Sequence, residues 1–131
     1  MLQRTQEILS DLEEVLEDLR SLPGGTLILV EGSKDEASLR NLGIKAPIER
    51  IHNSRYLPEK VRGYDEVVIL TDYDRHGGYL ARRSESTARS FGSRPNLEFR
   101  RRIRRATRRE LSHVEGLDTY VRNLRRRPQV H

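Results

Sequence analysis

Cysteine is absent from this 131-residue sequence, which excludes disulfide bonds and thiolate metal sites. Long apolar runs are absent too, since no stretch approaches the roughly 20 residues that a membrane-spanning helix needs. The segment from Met1 to Arg20 lacks the basic start and the apolar stretch of a signal peptide. We therefore expect a cytoplasmic protein with no membrane partner, folded as one domain, because the chain can bury a single core.

Lysine is scarce, with only Lys34, Lys45 and Lys60, so arginine carries nearly all of the positive charge behind the formal net charge of +5. The charge is also uneven, because residues 2–20 hold six acids whereas residues 94–127 hold twelve arginines and four acids. This asymmetry indicates a polyanionic partner, with nucleic acid first, since guanidinium groups bind phosphate in a bidentate way. The alternative is an arginine-rich solvated surface that binds nothing.

Hydrophobic spacing predicts alternating helices and strands. Apolar residues recur every three or four positions from Gln3 to Leu22, which predicts an amphipathic helix that docks on the core. Continuous apolar runs predict strands buried on both faces at Thr26 to Val30 and at Glu66 to Leu70. The other predicted elements are helices at 33–42 and 75–91, a short helical or irregular segment at 56–62, minor strands at 47–52 and 96–99, a loop at 53–54, and one or two helices in the arginine-rich remainder.

Strands that alternate with helices across short connections predict a three-layer α/β/α domain with about four mainly parallel strands. The strand that ends before Glu31 should lie beside the strand that ends before Asp72. Ser33 is expected to cap the helix that follows it, with Glu36 in the capping-box position. The expected organisation is a single domain over residues 1–131, with an N-terminal amphipathic helix at 1–22, a core at 26–99 and a basic helical segment at 100–131.

Three acidic residues follow the two strong strands: Glu31 follows the first, and Asp72 and Asp74 follow the other. Ligands gather at the carboxyl ends of parallel strands, so we expect the three carboxylates to converge there. Like charges in one crevice repel unless a cation joins them, and hard oxygen ligands suit Mg²⁺, with Mn²⁺ as a second possibility. The alternative is that such acids cap helices, as Asp74 would do for a helix beginning at Arg75.

The residues around these acids resemble the two motifs of the Toprim superfamily. Residues 29–39, Leu-Val-Glu-Gly-Ser-Lys-Asp-Glu-Ala-Ser-Leu, resemble the first motif, and residues 69–83, Ile-Leu-Thr-Asp-Tyr-Asp-Arg-His-Gly-Gly-Tyr-Leu-Ala-Arg-Arg, resemble the second, Asp-x-Asp. The resemblance covers roughly Thr26 to Phe99 and implies a Toprim-like parallel sheet with an acidic metal site. The small size and the Glu-Gly-x-x-Asp pattern are most similar to the ribonucleases that mature 5S ribosomal RNA and to small stand-alone archaeal Toprim proteins.

The resemblance also implies roles for single residues. Glu31 would be a general acid or base or a metal ligand, and Asp72 and Asp74 would be metal ligands with a catalytic role. Asp35 matches the acid of the ribonuclease-like first motif, although an acid in a first helical turn also stabilises the helix through its dipole. Tyr73 departs from the many relatives that have proline at this position.

Basic residues near the acids are candidates for contacts with phosphate. Arg75, His76, Arg82 and Arg83 flank the acids and could bind phosphate. His52 lies near a strand end, where a histidine is more often structural or incidental than functional. Arginines on the second motif and its helix are as consistent with a solvated helix face as with phosphate contacts. The predicted nucleic-acid contacts are Arg75, Arg82, Arg83, Arg101, Arg104, Arg105 and Arg108.

The function that these features predict is magnesium-dependent phosphodiester chemistry on nucleic acid, chiefly endonucleolytic processing of structured RNA in the manner of a ribosomal RNA maturase. RNA is favoured over DNA as the partner. A different class of function, a noncatalytic module that binds magnesium and RNA or DNA, stays open because the same metal ligands serve both. Topoisomerase and primase activities are excluded, since the chain has no room for a gate or for further domains.

Overall fold

Four parallel strands form the centre of the protein: β1 (Thr26–Val30), β2 (Ile48–Arg50), β3 (Glu66–Ile69) and β4 (Arg94–Asn96). The computed structural model describes residues 2–52 and 56–126, so the loop predicted at 53–54 and the chain beyond Arg126 lie outside the described residues. The strand order is β2-β1-β3-β4, and each strand is parallel to its neighbours. The predicted α/β class with a parallel sheet is confirmed, and β1 lies beside β3 as expected.

Helices cover both faces of this sheet. Side chains alternate along β1, so Leu27 and Leu29 pack into one layer while Ile28 and Val30 pack into the other. The sheet and the helical layer on each of its faces form the predicted three-layer α/β/α arrangement. The Ile28 side is covered by α1 (Leu2–Arg20), α2 (Ser33–Asn41), α5 (Glu98–Ala106), a 3-10 turn (Val114–Gly116) and α6 (Leu117–Arg126), and the Leu27 side by α3 (Leu57–Val61) and α4 (Arg75–Ser90).

The N-terminal helix α1 belongs to the same core as the sheet. Its apolar stripe is almost fully buried, and each large side chain removed from water contributes about 1.5–3 kcal/mol. The stripe consists of Ile8, Leu12, Val15, Leu16 and Leu19. Neither α1 nor any other helix in the described ranges is long and apolar enough to cross a membrane.

Acidic α1 packs against the basic helices α5 and α6. Two ion pairs join these helices, Arg102 with Asp18 at 2.8 Å and Arg125 with Glu13, and a third joins α1 to the turn after α5, Arg108 with Asp11 at 3.1 Å. The charge asymmetry that indicated a polyanionic partner is therefore balanced in part within the fold. Ion pairs of this exposed kind stabilise by about 0.2–1 kcal/mol each, so they add little to a helix held by its apolar face.

The last strand lies earlier in the chain than predicted. A strand at 96–99 is wrong, because β4 ends at Asn96 and α5 begins at Glu98. The Asn96 side-chain oxygen accepts the Glu98 backbone N–H at 2.8 Å, a local turn that ends the strand and begins the helix. Pro95 is tolerated because β4 is an edge strand of the sheet.

The start of α2 also differs from its prediction. Ser33 is the first helical residue and not the cap, because Gly32 occupies the cap position. The third helical residue is therefore Asp35, whose Oδ2 accepts the Gly32 N–H at 2.9 Å. Glu36, which was expected in that role, instead pairs with Arg50 at 2.8 Å.

Candidate metal centre and nucleic-acid interface

The two acidic motifs meet where β1 and β3 end. Glu31 directly follows β1, and its Oε2 accepts the backbone N–H of Asp72 at 2.7 Å. Because β1 and β3 are neighbours in register, with Leu29 opposite Ile69, the residues that follow them emerge at the same edge of the sheet. Glu31 and Asp72 are thus in direct contact across the two strands.

Asp72 is a buried carboxylate held by a backbone donor. Its Oδ1 accepts the N–H of Val114, in the 3-10 turn, at 2.7 Å. Burial raises the pKa of Asp72, the neighbouring charges of Glu31 and Asp74 add to this, and the Val114 N–H and His113 oppose it. A cation bound here would offset both the cost of desolvating the Asp72 carboxylate and its repulsion by the neighbouring acids.

Asp74 caps the helix that follows it, as the alternative interpretation of this acid predicted. Its Oδ1 accepts the N–H of Gly77 at 2.7 Å, which satisfies one of the free donors at the start of α4. Its Oδ2 points elsewhere and lies 3.7 Å from Nε2 of His113. The side chain is about half exposed, so capping leaves it accessible to a ligand.

Gly77 lets α4 begin directly against the backbone of Asp72. A Cβ atom at this position would lie 2.0 Å from the carbonyl oxygen of Asp72, a distance that no side chain can occupy. The Thr71 hydroxyl donates to the Gly77 carbonyl at 2.7 Å and closes the same contact. Gly77 is therefore required because α4 packs closely against the residues that follow β3, and not because of a positive φ angle.

His113 lies beside the two aspartates, although no motif or spacing in the sequence indicated it. One ligand atom each from Asp72, Asp74 and His113 lie within 4.8 Å of one another. In the described part of the chain, no other group of three or more histidine and acidic side chains has its ligand atoms this close together. Glu31 is not a member of this group, and its role as a metal ligand stays a prediction.

The donors present fit a divalent cation. Two carboxylates supply hard, charged oxygens, and an imidazole supplies a nitrogen that first-row divalent metals accept. Two of the three donors come from one motif, and the third comes from the segment between α5 and the 3-10 turn.

Comparison with known proteins identifies the family. The profile of the Toprim domain matches residues 26–104, which is more than half of the chain. The chain belongs to the Toprim family. The resemblance of its two motifs is thereby confirmed, and the matched region runs slightly beyond the expected core at 26–99.

Relatives of this Toprim protein come from archaea. It is 43% identical over 121 residues to a UPF0292 protein of Methanosarcina barkeri, covering 89% of this chain and 85% of that protein. A UPF0292 protein of Pyrococcus horikoshii is 38% identical over 108 residues, covering 80% of each. Among solved structures, a putative protein from Aquifex aeolicus superposes with a TM-score of 0.69 at 24% identity, covering 80% of this chain and 96% of that one, and shows the fold alone.

Toprim domains are divalent-metal-binding modules that process nucleic acids, so this chain has a nucleic-acid-related, metal-binding function at that general level. A cluster of Asp72, Asp74 and His113 lies beyond the end of β3.

Asp35 shapes the turn of the first Toprim motif. It is buried, and through Gly32 it holds the backbone that follows Glu31. Burial raises the pKa of Asp35, the backbone N–H groups of Gly32 and Glu115 oppose the rise, and the charge of Asp72 adds to it. Asp35 therefore supports the turn that follows Glu31.

Tyr73, where many relatives have proline, ties α5 to the Asp-x-Asp motif. Its hydroxyl donates to the Arg100 carbonyl at 2.7 Å, and the guanidinium carbons of Arg100 and Arg104 lie 4.9 and 5.1 Å from its ring centre. Arg100 also donates to the carbonyls of Thr71, at 3.0 Å, and Asp72. Sequence reasoning missed Arg100, because it is one arginine in a run of similar ones.

A concave surface beside this junction is lined entirely by arginine. We call it the arginine pocket, and it consists of Arg101, Arg104, Arg105, Arg108 and Arg109. It brings together all four of the α5-region arginines predicted to bind nucleic acid. Arg108 and Arg109 both have left-handed backbones, with φ of 53° and 64°, which costs about 1–2 kcal/mol per residue for a side chain other than glycine.

Several pocket arginines already have acidic neighbours. Arg101 and Arg105 lie 3.3 and 3.6 Å from Glu98, and Arg108 pairs with Asp11. Both interpretations of the basic run, phosphate binding and solvated surface, are compatible with these exposed pairs.

The remaining predicted contacts lie on α4 and near β2. Arg75, Arg82 and Arg83 are exposed along α4 and are not part of the arginine pocket. His52 follows β2, and its ring is so close to Gly32 that a Cβ there would lie 2.7 Å from its Cε1. His52 is therefore beside the first motif but outside the group of Asp72, Asp74 and His113.

Proposed function

We propose that this Toprim protein is a divalent-metal-dependent endonuclease acting on structured RNA, with Mg²⁺ as its first candidate ion. The observation that carries the proposal is the meeting of Glu31 with Asp72 at the sheet edge, beside Asp74 and the arginine pocket. In the proposal, Asp72 and Asp74 hold the ion and Glu31 is a further ligand or a general acid or base.

In the proposal, Glu31 and Arg100 have different roles beside the ion. When bound, a divalent ion would polarise the scissile phosphate and neutralise the charge that develops on it. Glu31 is fixed by the Asp72 N–H at 2.7 Å, which orients its carboxylate for proton transfer beside the reacting group. Arg100, anchored on the Thr71 and Asp72 carbonyls, adds a fixed positive charge near Glu31 and Asp72.

Substrate binding is assigned to the arginine pocket. Arg104 both lines this pocket and stacks on Tyr73, the residue between the two motif aspartates, so the pocket adjoins the metal centre. A nucleic-acid strand whose phosphates lie in the pocket would place a neighbouring phosphate near Asp74. The similarity of the first motif to that of the ribonucleases that mature 5S ribosomal RNA supports RNA as the substrate.

A noncatalytic Toprim module that binds metal and nucleic acid is the second candidate. It is favoured by the backbone bonds that Asp72 and Asp74 accept from Val114 and Gly77, since these give both acids structural tasks. The two candidates differ in turnover and not in binding, and one paired experiment separates them.

Cleavage rate and Kd are measured together, with and without Mg²⁺, on a structured RNA and on a DNA duplex of the same sequence. We expect Asp72→Asn and Glu31→Gln each to lower the cleavage rate by at least about 100-fold, the scale of lost acid–base or charge catalysis. Binding should change little, because it depends mainly on arginine contacts with phosphate. Glu36→Gln, which removes a carboxylate of α2 paired with Arg50, is the matched control and should cleave like wild type.

Cleavage that survives both site substitutions would contradict the proposed mechanism. Magnesium-dependent binding by wild type without turnover on either substrate would establish the noncatalytic module instead. Faster cleavage of the duplex DNA than of the RNA would contradict the assignment of RNA as substrate.

A further inference from the structure

His113 lies beside both aspartates of the second motif, within the distance that a shared metal ion would require. Its Nε2 lies 3.7 Å from Asp74 Oδ2, and its ligand atom is within 4.8 Å of those of both motif aspartates. Its side chain is about half exposed, so a bound ion could reach it from solvent.

The backbone on either side of His113 is fixed to the Asp-x-Asp motif. The Tyr73 N–H donates to the Ser112 carbonyl at 3.0 Å, and the Val114 N–H donates to Asp72 Oδ1 at 2.7 Å. These two bonds bracket His113 and hold it against the aspartates. Its place at the centre is therefore set by the fold, although it lies outside the region that the Toprim profile matches.

Replacing an oxygen donor with imidazole changes the metals that a site prefers. Mg²⁺ takes oxygen ligands almost exclusively and retains its waters, whereas Mn²⁺ accepts carboxylate and also binds imidazole nitrogen. A centre built from oxygen donors alone would have no reason to distinguish the two ions on donor type. A centre with two carboxylates and one imidazole does.

We propose that His113 is the third protein ligand of the metal held by Asp72 and Asp74, and that its nitrogen shifts the preference of this centre from Mg²⁺ to Mn²⁺. The proposal rests on the proposed function only in using the same Asp72–Asp74 centre, and it does not depend on catalysis. The competing explanation is that His113 is simply an ion-pair partner of Asp74.

The test measures metal binding directly, by calorimetric titration of the whole protein with MnCl₂ and with MgCl₂. We expect wild type to bind Mn²⁺ at least about 10-fold more tightly than Mg²⁺. His113→Ala should weaken Mn²⁺ binding by about 10-fold or more and change Mg²⁺ binding by less than about 3-fold. His113→Asp, which replaces nitrogen with oxygen, should lower the Mn²⁺ preference while retaining Mg²⁺ binding.

A spectroscopic readout accompanies the titration. Pulsed electron paramagnetic resonance of bound Mn²⁺ should detect coupling to an imidazole ¹⁴N in wild type, and this coupling should disappear in His113→Ala. His76→Ala is the matched control, because His76 is an exposed histidine on α4 that stacks on Tyr79, with ring centres 6.4 Å apart, and is not in the metal-binding group. The control should keep both the Mn²⁺ affinity and the nitrogen coupling.

The outcomes separate this proposal from the proposed function. If Asp72→Asn abolishes Mn²⁺ binding while His113→Ala leaves the affinity and the nitrogen signal unchanged, the role of His113 is overturned and the centre at Asp72 stands. If wild type binds neither ion, or if Asp72→Asn has no effect on binding, the metal centre itself is refuted and the ligand role of His113 with it.

Discussion

At the scale of single residues, two adjacent glycines of α4 differ in whether close packing requires a glycine. Gly77 faces the Asp72 carbonyl, 2.0 Å from any added Cβ, whereas a Cβ at Gly78 would meet only the flexible end of Arg82 at 3.7 Å. We expect Gly77→Ala to lower the free energy of unfolding by at least about 2 kcal/mol, because the clash is with backbone and not with a movable side chain. Gly78→Ala should raise it by about 0.5–1 kcal/mol through helix propensity.

Chemical denaturation followed by circular dichroism measures both glycine variants. Gly77→Ala should also weaken metal binding, because the shift in α4 moves Asp74. Equal stabilities for the two variants would mean that the close approach of α4 to β3 is absent in solution.

A second pair of residues tests buried hydroxyl groups. Ser84 on α4 is fully buried, and its Oγ has no hydrogen-bond partner among the described residues, whereas the Ser93 Oγ donates to the Tyr64 carbonyl at 2.6 Å. Ser84→Ala should therefore raise the free energy of unfolding by about 1 kcal/mol, since an unpaired polar group leaves the core. Ser93→Ala should lower it by about 1 kcal/mol. Thermal unfolding of the two variants checks the opposite signs, and a destabilised Ser84→Ala would indicate an unseen partner.

At the scale of elements, the arginine pocket has two kinds of arginine, which come from α5 and from the turn that follows it. Arg104 and Arg108 contact Tyr73 and Asp11, so their replacement would disturb packing as well as charge. Arg101, Arg105 and Arg109 are exposed members of the arginine pocket. If these three contact phosphates, replacing them with glutamine should reduce the slope of log K against log salt for single-stranded RNA by about 2, at roughly 0.7 per contact.

The matched control removes the same charge at the opposite end of the strands. Arg62, Arg89 and Arg94 are exposed, and Arg89 and Arg94 line a separate concavity with Asp65 and Glu66. Glutamine at these three positions should leave the slope unchanged. Filter binding across a salt series gives both slopes, and equal slopes for the two triple variants would identify the arginine pocket as a solvated surface.

At the scale of the whole molecule, the sequence predicted what depends on local pattern. The apolar runs of β1 and β3 indicated buried parallel strands, and their order then placed Glu31 and Asp72 at one edge. His113 and Arg100 could not be predicted, because irregular chain carries His113 and many equivalent arginines surround Arg100. Their positions depend on contacts with the Asp-x-Asp motif that no spacing encodes.

The distribution of charge in the sequence likewise did not predict where the opposite charges would lie. An acidic start and a basic end indicated an external polyanion, yet the fold places α1 against α5 and α6 and pairs part of that charge internally. Composition cannot distinguish a partner in solution from a partner elsewhere in the chain. The salt series therefore tests for an external partner at the arginines that remain exposed in the arginine pocket.

The packing of α1 against α5 and α6 has a consequence for protein synthesis. Helix α1 is synthesised before α5 and α6 but packs against both, and the nearby contact between Arg4 and Glu110 spans 106 positions. At a synthesis rate of about 5–20 residues per second, the apolar stripe of α1 exists for on the order of ten seconds before α6 has been made. During that interval the nascent chain exposes apolar residues such as Leu12 and Leu16, which are fully buried in the folded protein. The core on this side of the sheet is therefore completed only after translation has passed the Toprim motifs.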